Sequence, residues 1–203
     1  VWTGSTNMTW NAFARNNENS LLLPSPTLAQ GYAREFEALF GGQKEGLGQP
    51  VAFALEGVEG VAYFSPRGGR LAREALLKRL SEAQREVLVA AFVLTDREVL
   101  EALLQARRRG AEVKVLLETR NLGTSREEAL LEEGLEVRQD ANPYTMHHKV
   151  MLLDGTYVVT GSYNFSVRAH EVNNENLLVL KSPSLAERYR KEVLRLWEAG
   201  SPL

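Results

Sequence analysis

The chain has 203 residues, 44% of them apolar and 25% charged, with no cysteine and a formal net charge of −2. That length can bury a sizeable core, and no apolar run is long enough to cross a bilayer as a helix. Disulfides and thiolate metal sites are excluded, and with no global basic field any polyanion has to be held locally. The abundance of Leu, Glu, Arg and Ala beside three methionines is compatible with a thermophilic source, and nothing in the composition fixes a compartment.

Taken in chain order, residues 3–23 read as a strand end, a short helix and a second strand. Ser25 followed by Pro26 then opens a helix to about Phe40, since proline at an early helical position has no amide to lose. The Gly-rich stretch 41–50 reads as a linker. It divides residues 1–48, with that linker, from 49–203. Two short strands follow at 51–55 and 61–64, and then a helix with Leu71, Ala75, Leu76 and Leu80 on its apolar side. Residues 86–94 are almost continuously apolar, the mark of a strand buried on both faces. Thr95 caps a helix over 96–109, closed by Gly110, and a parallel strand over 113–117 completes a right-handed βαβ unit. A helix over 125–133 and an edge strand over 135–137 come next. Strands over 147–153 and 156–160 form a hairpin through Asp154 and Gly155. A strand over 177–180 and an amphipathic helix over 183–199 end the chain. The expected class is α/β, a mixed β-sheet flanked by helices on both faces.

One segment is written twice. Val1-Trp2-Thr3-Gly4-Ser5-Thr6-Asn7 parallels Val158-Val159-Thr160-Gly161-Ser162-Tyr163-Asn164, and Asn16-Asn17-Glu18-Asn19 parallels Asn173-Asn174-Glu175-Asn176. The offset is 157 throughout and persists through Ser25-Pro26 against Ser182-Pro183, which reads as a duplicated module rather than a shared motif. The second copy also holds His147-His148-Lys149, four apolar residues and Asp154. Subtracting 157 from His147 gives −10, so the first copy's histidine and lysine would precede Val1, and the chain reads as a fragment or cleavage product, or as a short protein with a vestigial first half.

The pattern H-x-K-x4-D-x6-G-S-x-N with a later E-N resembles the signature of the phospholipase D superfamily, without departure at any position. Phe64-Ser65-Pro66 and the span from Val61 to Trp197 resemble its nuclease-like branch. The resemblance implies a phospholipase D-like fold, one complete module plus the C-terminal part of a first one, and a metal-independent phosphodiesterase with no cofactor. It implies that His147 attacks phosphorus to form a covalent phosphohistidine, which water or an alcohol resolves. Strand alternation puts Lys149 on the same face as His147, with His148 on the other. Lys149 then supplies fixed positive charge, Ser162 and Asn164 complete the phosphate pocket beside the start of a helix, and Glu175 is the carboxylate that orients His147. Asp154 and Gly161 are read as structural members of the motif. Ser5, Asn7 and Glu18, the vestigial counterparts of Ser162, Asn164 and Glu175, are candidates for a partner half-site.

Two function classes remain. The first is an enzyme acting on nucleic-acid phosphodiesters, DNA or RNA, with a phospholipase D or phosphatidyl transferase acting on phospholipid headgroups as the alternative. The second is a silent scaffold, because the partner H-x-K is absent. The family's use of paired motifs implies either a homodimer that pairs His147 of two chains or a missing N-terminal lobe. Weaker signals take plainer readings: Arg107-Arg108-Arg109 offset a helix dipole, His148 packs, His170 is a solvated helix-end residue, and adjacent histidines on a strand diverge too far to hold a metal.

Overall fold

The computed structural model describes residues 1–203. Its centre is a nine-stranded mixed sheet in the order β11-β7-β6-β5-β8-β9-β10-β4-β3. These strands are β3 (Val51–Leu55), β4 (Val58–Ser65), β5 (Glu86–Ala91), β6 (Glu112–Leu117), β7 (Glu136–Gln139), β8 (Lys149–Leu153), β9 (Tyr157–Gly161), β10 (Glu175–Lys181) and β11 (Ser201–Pro202). Pairing is parallel for β5 with β6 and for β6 with β7, as a βαβ path requires, and antiparallel elsewhere.

The two-residue period of the central strands decides which helices cover them. On β5, Val87, Val89 and Ala91 face one core with Met151 and Leu153 of β8, against α3 (Gly69–Glu82) and α4 (Arg97–Arg108). Leu88, Ala90, Val150 and Leu152 face the other core, against α2 (Pro26–Phe40) and α7 (Pro183–Ala199). The α/β class with helices on both faces is therefore observed. Residues 1–23 form a separate two-stranded ribbon, β1 (Trp2–Gly4) with β2 (Ser20–Leu22), around the short helix α1 (Trp10–Ala14).

Several expectations need correction. Asp96, not Thr95, caps α4, because its carboxylate accepts from the Glu98 amide. The strand expected over 135–137 is not a free edge, since β11 pairs with β7. The helix expected over 125–133 shortens to α5 (Glu127–Glu132), and the strand expected over 61–64 lengthens into β4 as one arm of a hairpin with β3. His170, in α6 (Val167–Glu171), is buried rather than solvated, with Nδ1 3.7 Å from the buried Asp96 carboxylate. Arg73 pairs with that same carboxylate at 2.5 Å and 2.7 Å.

The hydrogen bonds themselves recur at the 157-residue offset. Asn19 Oδ1 accepts from Thr160 at 2.7 Å and Tyr189 at 2.9 Å, and Asn176 Oδ1 accepts from Thr3 at 2.9 Å and Tyr32 at 3.0 Å. Ser5 Oγ accepts from the Asn19 amide, and Ser162 Oγ from the Asn176 amide, both at 3.0 Å. Gly4 and Gly161 share a left-handed φ, +146° and +137°, and a Cβ at either would fall about 2 Å from the carbonyl of Asn19 or Asn176. Each asparagine thus receives donors from the opposite copy, which locks residues 1–40 against the sheet.

The hairpin between β8 and β9 turns at Asp154 and Gly155, with φ of +54° and +62°, and closes through Thr156 N to Leu153 O at 3.0 Å. The Asp154 carboxylate accepts from the amides of Gln84, Arg85 and Glu86, at 2.8 to 3.0 Å for the shortest bonds, and so ties the turn to the start of β5. Burial would raise this carboxyl, but those amides hold it below its ordinary value. Replacing Asp154 with Ala leaves three amides without their acceptor. It should cost about 1–3 kcal/mol in urea unfolding while tungstate affinity stays within about twofold. Loss of anion affinity at unchanged stability would show that Asp154 belongs to the site.

Candidate active site

The residues just before β8 are pinned from both copies. His147 N donates to Asn17 O at 2.9 Å, Asn17 N donates to Thr145 O at 2.8 Å, and the buried Glu118 carboxylate accepts from Met146 N at 2.6 Å. Phe92, directly after β5, donates its amide to His148 O and lays its ring edge-on to His147 at 4.7 Å. The backbone that carries the imidazole is therefore fixed before any side-chain contact is made.

His147 Nδ1 lies 2.9 Å from Glu18 Oε2 and 3.1 Å from Ser5 O. A carbonyl oxygen can only accept, so Nδ1 carries a proton, and in the neutral ring Nε2 keeps its lone pair. Glu18 is buried to 5% side-chain exposure and also accepts from Ser5 Oγ at 2.6 Å and Asn16 Nδ2 at 3.2 Å. Burial pushes its carboxyl up, and the bonds from His147, Ser5 and Asn16 outweigh that and hold it below the ordinary value. This corrects the expected pairing. The carboxylate on His147 is Glu18, from the first copy, whereas Glu175 accepts from Asn173 Nδ2 at 3.2 Å and has no histidine beside it.

Lys149 follows on the same face and is 3% exposed, with Nζ donating to His147 O at 2.8 Å and standing 4.7 Å over the Phe92 ring. Burial pulls its ammonium down to about 7, against the opposing attraction of Glu18 and Glu175. No hydrogen bond holds the Asn164 side chain, whose Oδ1 is buried without a partner. Ser162 Oγ accepts from both the amide and Nδ2 of Asn176, at 3.0 Å and 3.3 Å, which leaves its own proton to give. The helix expected to start beside the pocket is the five-residue α6, and its cap Ser166 already accepts the Ala169 amide. Positive charge in the pocket therefore comes from Lys149 rather than from a helix end.

The remaining candidates separate. Ser5 lies in the first rank through its carbonyl and its hydroxyl, whereas Asn7 is exposed and its carbonyl merely accepts from Thr9 N. Gly161 is the point of close approach to Asn176, and Asp154 sits in the turn at the far end of β8. His148 points to the opposite core with Nδ1 3.0 Å from Asn19 Nδ2, and burial pulls its imidazole down to about 4. Because Asn19 donates there, Nδ1 accepts and the proton sits on Nε2. Of the basic run, Arg108 pairs with Glu133 and Arg109 donates to Leu80 O. Glu118 and Phe92 escaped the sequence reading, whereas Asn19 and Tyr189 entered it only as repeat positions opposite Asn176 and Tyr32, with no role in the site.

A family model described as cardiolipin synthase, PLD-like domain, matches residues 76–197. The mitochondrial cardiolipin hydrolase of Xenopus laevis is 36% identical over 129 residues, 63% of this chain and 61% of that protein. A phospholipase D of Rickettsia typhi is 33% identical over 128 residues, 62% of each chain. The matches thus span about three-fifths of the length of these relatives. Among solved structures, the phospholipase D family member Nuc from Salmonella typhimurium superposes with TM-score 0.67 at 30% identity, covering 72% of this chain and 98% of that one. NucT from Helicobacter pylori, at 21% identity and TM-score 0.66, covers 72% and 99% and shares the fold.

The buried lysine ties anion binding to protonation. Above pH 7 the free pocket holds mostly neutral Lys149, and a bound oxyanion restores its proton. Tungstate binding at pH 8 should take up protons, and at pH 6 markedly fewer, in calorimetry across buffers of different ionisation heat. No uptake at pH 8 would mean that Lys149 is already charged in the empty pocket.

His148 gives a second pH dependence. Its folded value lies below its unfolded one, so between pH 6.5 and about 4 the unfolded chain binds a proton that the folded chain does not. Stability should therefore fall as pH drops through that window, and His148→Gln should flatten the slope. An unchanged slope would place the acid-sensitive group elsewhere.

Proposed function

The chain belongs to the phospholipase D superfamily, and from that premise we propose that it hydrolyses phosphodiesters through a phosphohistidine on His147, with nucleic acid as substrate. The observation that carries this reading is the Glu18–His147 pair at 2.9 Å with the buried Lys149 beside it. Nε2 attacks phosphorus, the P–N bond forms, and the bond to the leaving oxygen breaks. Lys149 and the free amide of Asn164 hold the non-bridging oxygens as charge builds on them. Glu18 stabilises the imidazolium that develops, as a buried carboxylate does behind any catalytic imidazole. Water then attacks the same phosphorus and releases the histidine.

The leaving oxygen needs a proton, and a second imidazole is the group suited to give it and then to activate the water, a contribution of about a hundred- to ten-thousand-fold. The recurrent geometry supports a place for it beside Glu175. Glu175, with Asn173 bonded to it as Asn16 is to Glu18, stands ready to orient an imidazole as Glu18 orients His147. We read residues 1–40 as part of a duplicated module whose other half brings that imidazole. Trp2, Met8, Phe13, Phe36 and Phe40 are exposed, whereas the residues 157 positions later, Val159, Phe165, His170, Val193 and Trp197, are all buried. That contrast favours a covering lobe over a homodimer, since residues 1–40 already fill the surface beside His147.

The nucleic-acid reading rests on the resemblance of 61–197 to the nuclease-like branch. A phospholipid reading is favoured by the names of the curated relatives, cardiolipin hydrolase and phospholipase D. Parallel hydrolysis assays with DNA, RNA and phosphatidylcholine separate the two.

Bis(4-nitrophenyl) phosphate, whose leaving group needs no proton, tests the chemistry in the 203-residue chain. It should give a burst of one nitrophenolate per chain and slow turnover, with phosphate trapped on histidine in alkali and released by acid. His147→Ala should abolish the burst, Glu18→Gln should slow it at least about a hundredfold, and chelator should leave it intact. Phosphate found on serine, or a burst that needs added metal, would refute the mechanism.

A further inference from the structure

Asn164 borders a second space. A pocket of about 300 Å³ continues from it between the segment after β5 and the start of α6, lined by Val93, Thr95, Ser166, Val167, Arg168 and Asn173. Its polar lining consists of hydroxyls, amides and one guanidinium, with no carboxylate. Arg168 is exposed and forms no ion pair, whereas Arg70, Arg108, Arg190 and Arg195 each pair with a glutamate. The Thr95 hydroxyl also makes no hydrogen bond, while its amide donates to Phe165 O at 2.9 Å and fixes the wall. The carbonyl of Arg168 accepts from Val172 N at 3.0 Å and Asn173 N at 2.9 Å, so the cation rides on an anchored turn. Residue 11, the counterpart of Arg168 in the first copy, is Asn, so this cation belongs to the second copy alone.

We propose that this pocket is a second phosphate subsite, in which Arg168, helped by the Thr95 hydroxyl, holds another phosphate of the same substrate while the scissile one sits at Lys149 and Asn164. The inference rests on the reading of His147 and Lys149 as the phosphodiester site and adds what that site selects: substrates bearing two phosphates over those bearing one. A guanidinium suits this task, because it presents paired donors to phosphate oxygens and keeps its charge where a buried ammonium loses it. The second phosphate could be the next one along a nucleic-acid strand or the other phosphate of a two-phosphate lipid headgroup. Both present two phosphates to the protein, and the test separates them.

Binding measurements on the 203-residue chain need no turnover. A nucleoside bisphosphate and a glycerol bisphosphate are each compared with their own monophosphate by displacement of tungstate. At least one bisphosphate should bind about tenfold or more tightly than its monophosphate, the size expected for one charge-assisted contact. Arg168→Gln should bring that ratio close to one, and Arg168→Lys should restore part of it. Preference in the nucleoside arm alone identifies a nucleic-acid strand as the source, and preference in the glycerol arm alone identifies a lipid headgroup. A ratio near one in both arms of the unaltered chain, a ratio untouched by Arg168→Gln, or an equal loss for mono- and bisphosphates would overturn the subsite. If no monophosphate displaces tungstate, the reading of the main pocket fails, and the subsite falls with it.

Discussion

The hydrogen bond from His147 Nδ1 to Glu18 is the contact on which the rest of the site depends. It joins a residue of the second copy to a carboxylate of the first, 129 positions earlier in the chain. An imidazole free to choose its tautomer would often present a protonated Nε2 to the phosphorus, and a protonated nitrogen cannot attack. Glu18 and the Ser5 carbonyl remove that choice. Ser5 in turn is held by the Asn19 amide and Asn19 by Thr160 and Tyr189, so the carboxylate is positioned by the copy it serves. The imidazole and the carboxylate that orients it thus come from distant parts of the chain and meet only through tertiary packing.

Burial is the second constraint, and it works through charge. Lys149 is enclosed so fully that burial pulls its ammonium down, against the attraction of Glu18 and Glu175, the His147 carbonyl and the Phe92 ring. On the proposed reading, an arriving phosphate completes the lysine's charge as the lysine neutralises the phosphate. Water in the pocket would weaken both effects, which gives the Phe92 ring, packed against His147 and Lys149 together, a physical purpose.

Much of this was legible in the amino-acid sequence, and what was missed was missed for a physical reason. The continuous apolar run of β5 announced a strand buried on both faces, and the Asp154–Gly155 pair announced the turn between β8 and β9. His147 and Lys149 were legible as a pair because strand alternation is a local rule. The partner of His147 was not, because no local rule says which of two equivalent glutamates, Glu18 or Glu175, will stand across an interface. Parity and spacing describe one copy at a time, whereas the pairing is set by how the copies dock. His170 misled for the same reason: a polar residue on a short helix looks solvated until Asp96 and Arg73 are seen beneath it. Thr95 and Asp96 are both good caps, and only the carboxylate's reach to the Glu98 amide separated them.

The tautomer of His147 is the most direct test of this account. Nitrogen NMR of the chain with labelled imidazoles, assigned through His147→Gln, reads which ring nitrogen carries the proton near neutral pH. The account predicts a proton on Nδ1 and a bare Nε2 for His147, the opposite arrangement for His148, and loss of the fixed His147 tautomer in Glu18→Gln but not in Glu175→Gln. A proton on Nε2 of His147 in the unaltered chain, or a tautomer that responds to Glu175 and ignores Glu18, would contradict it.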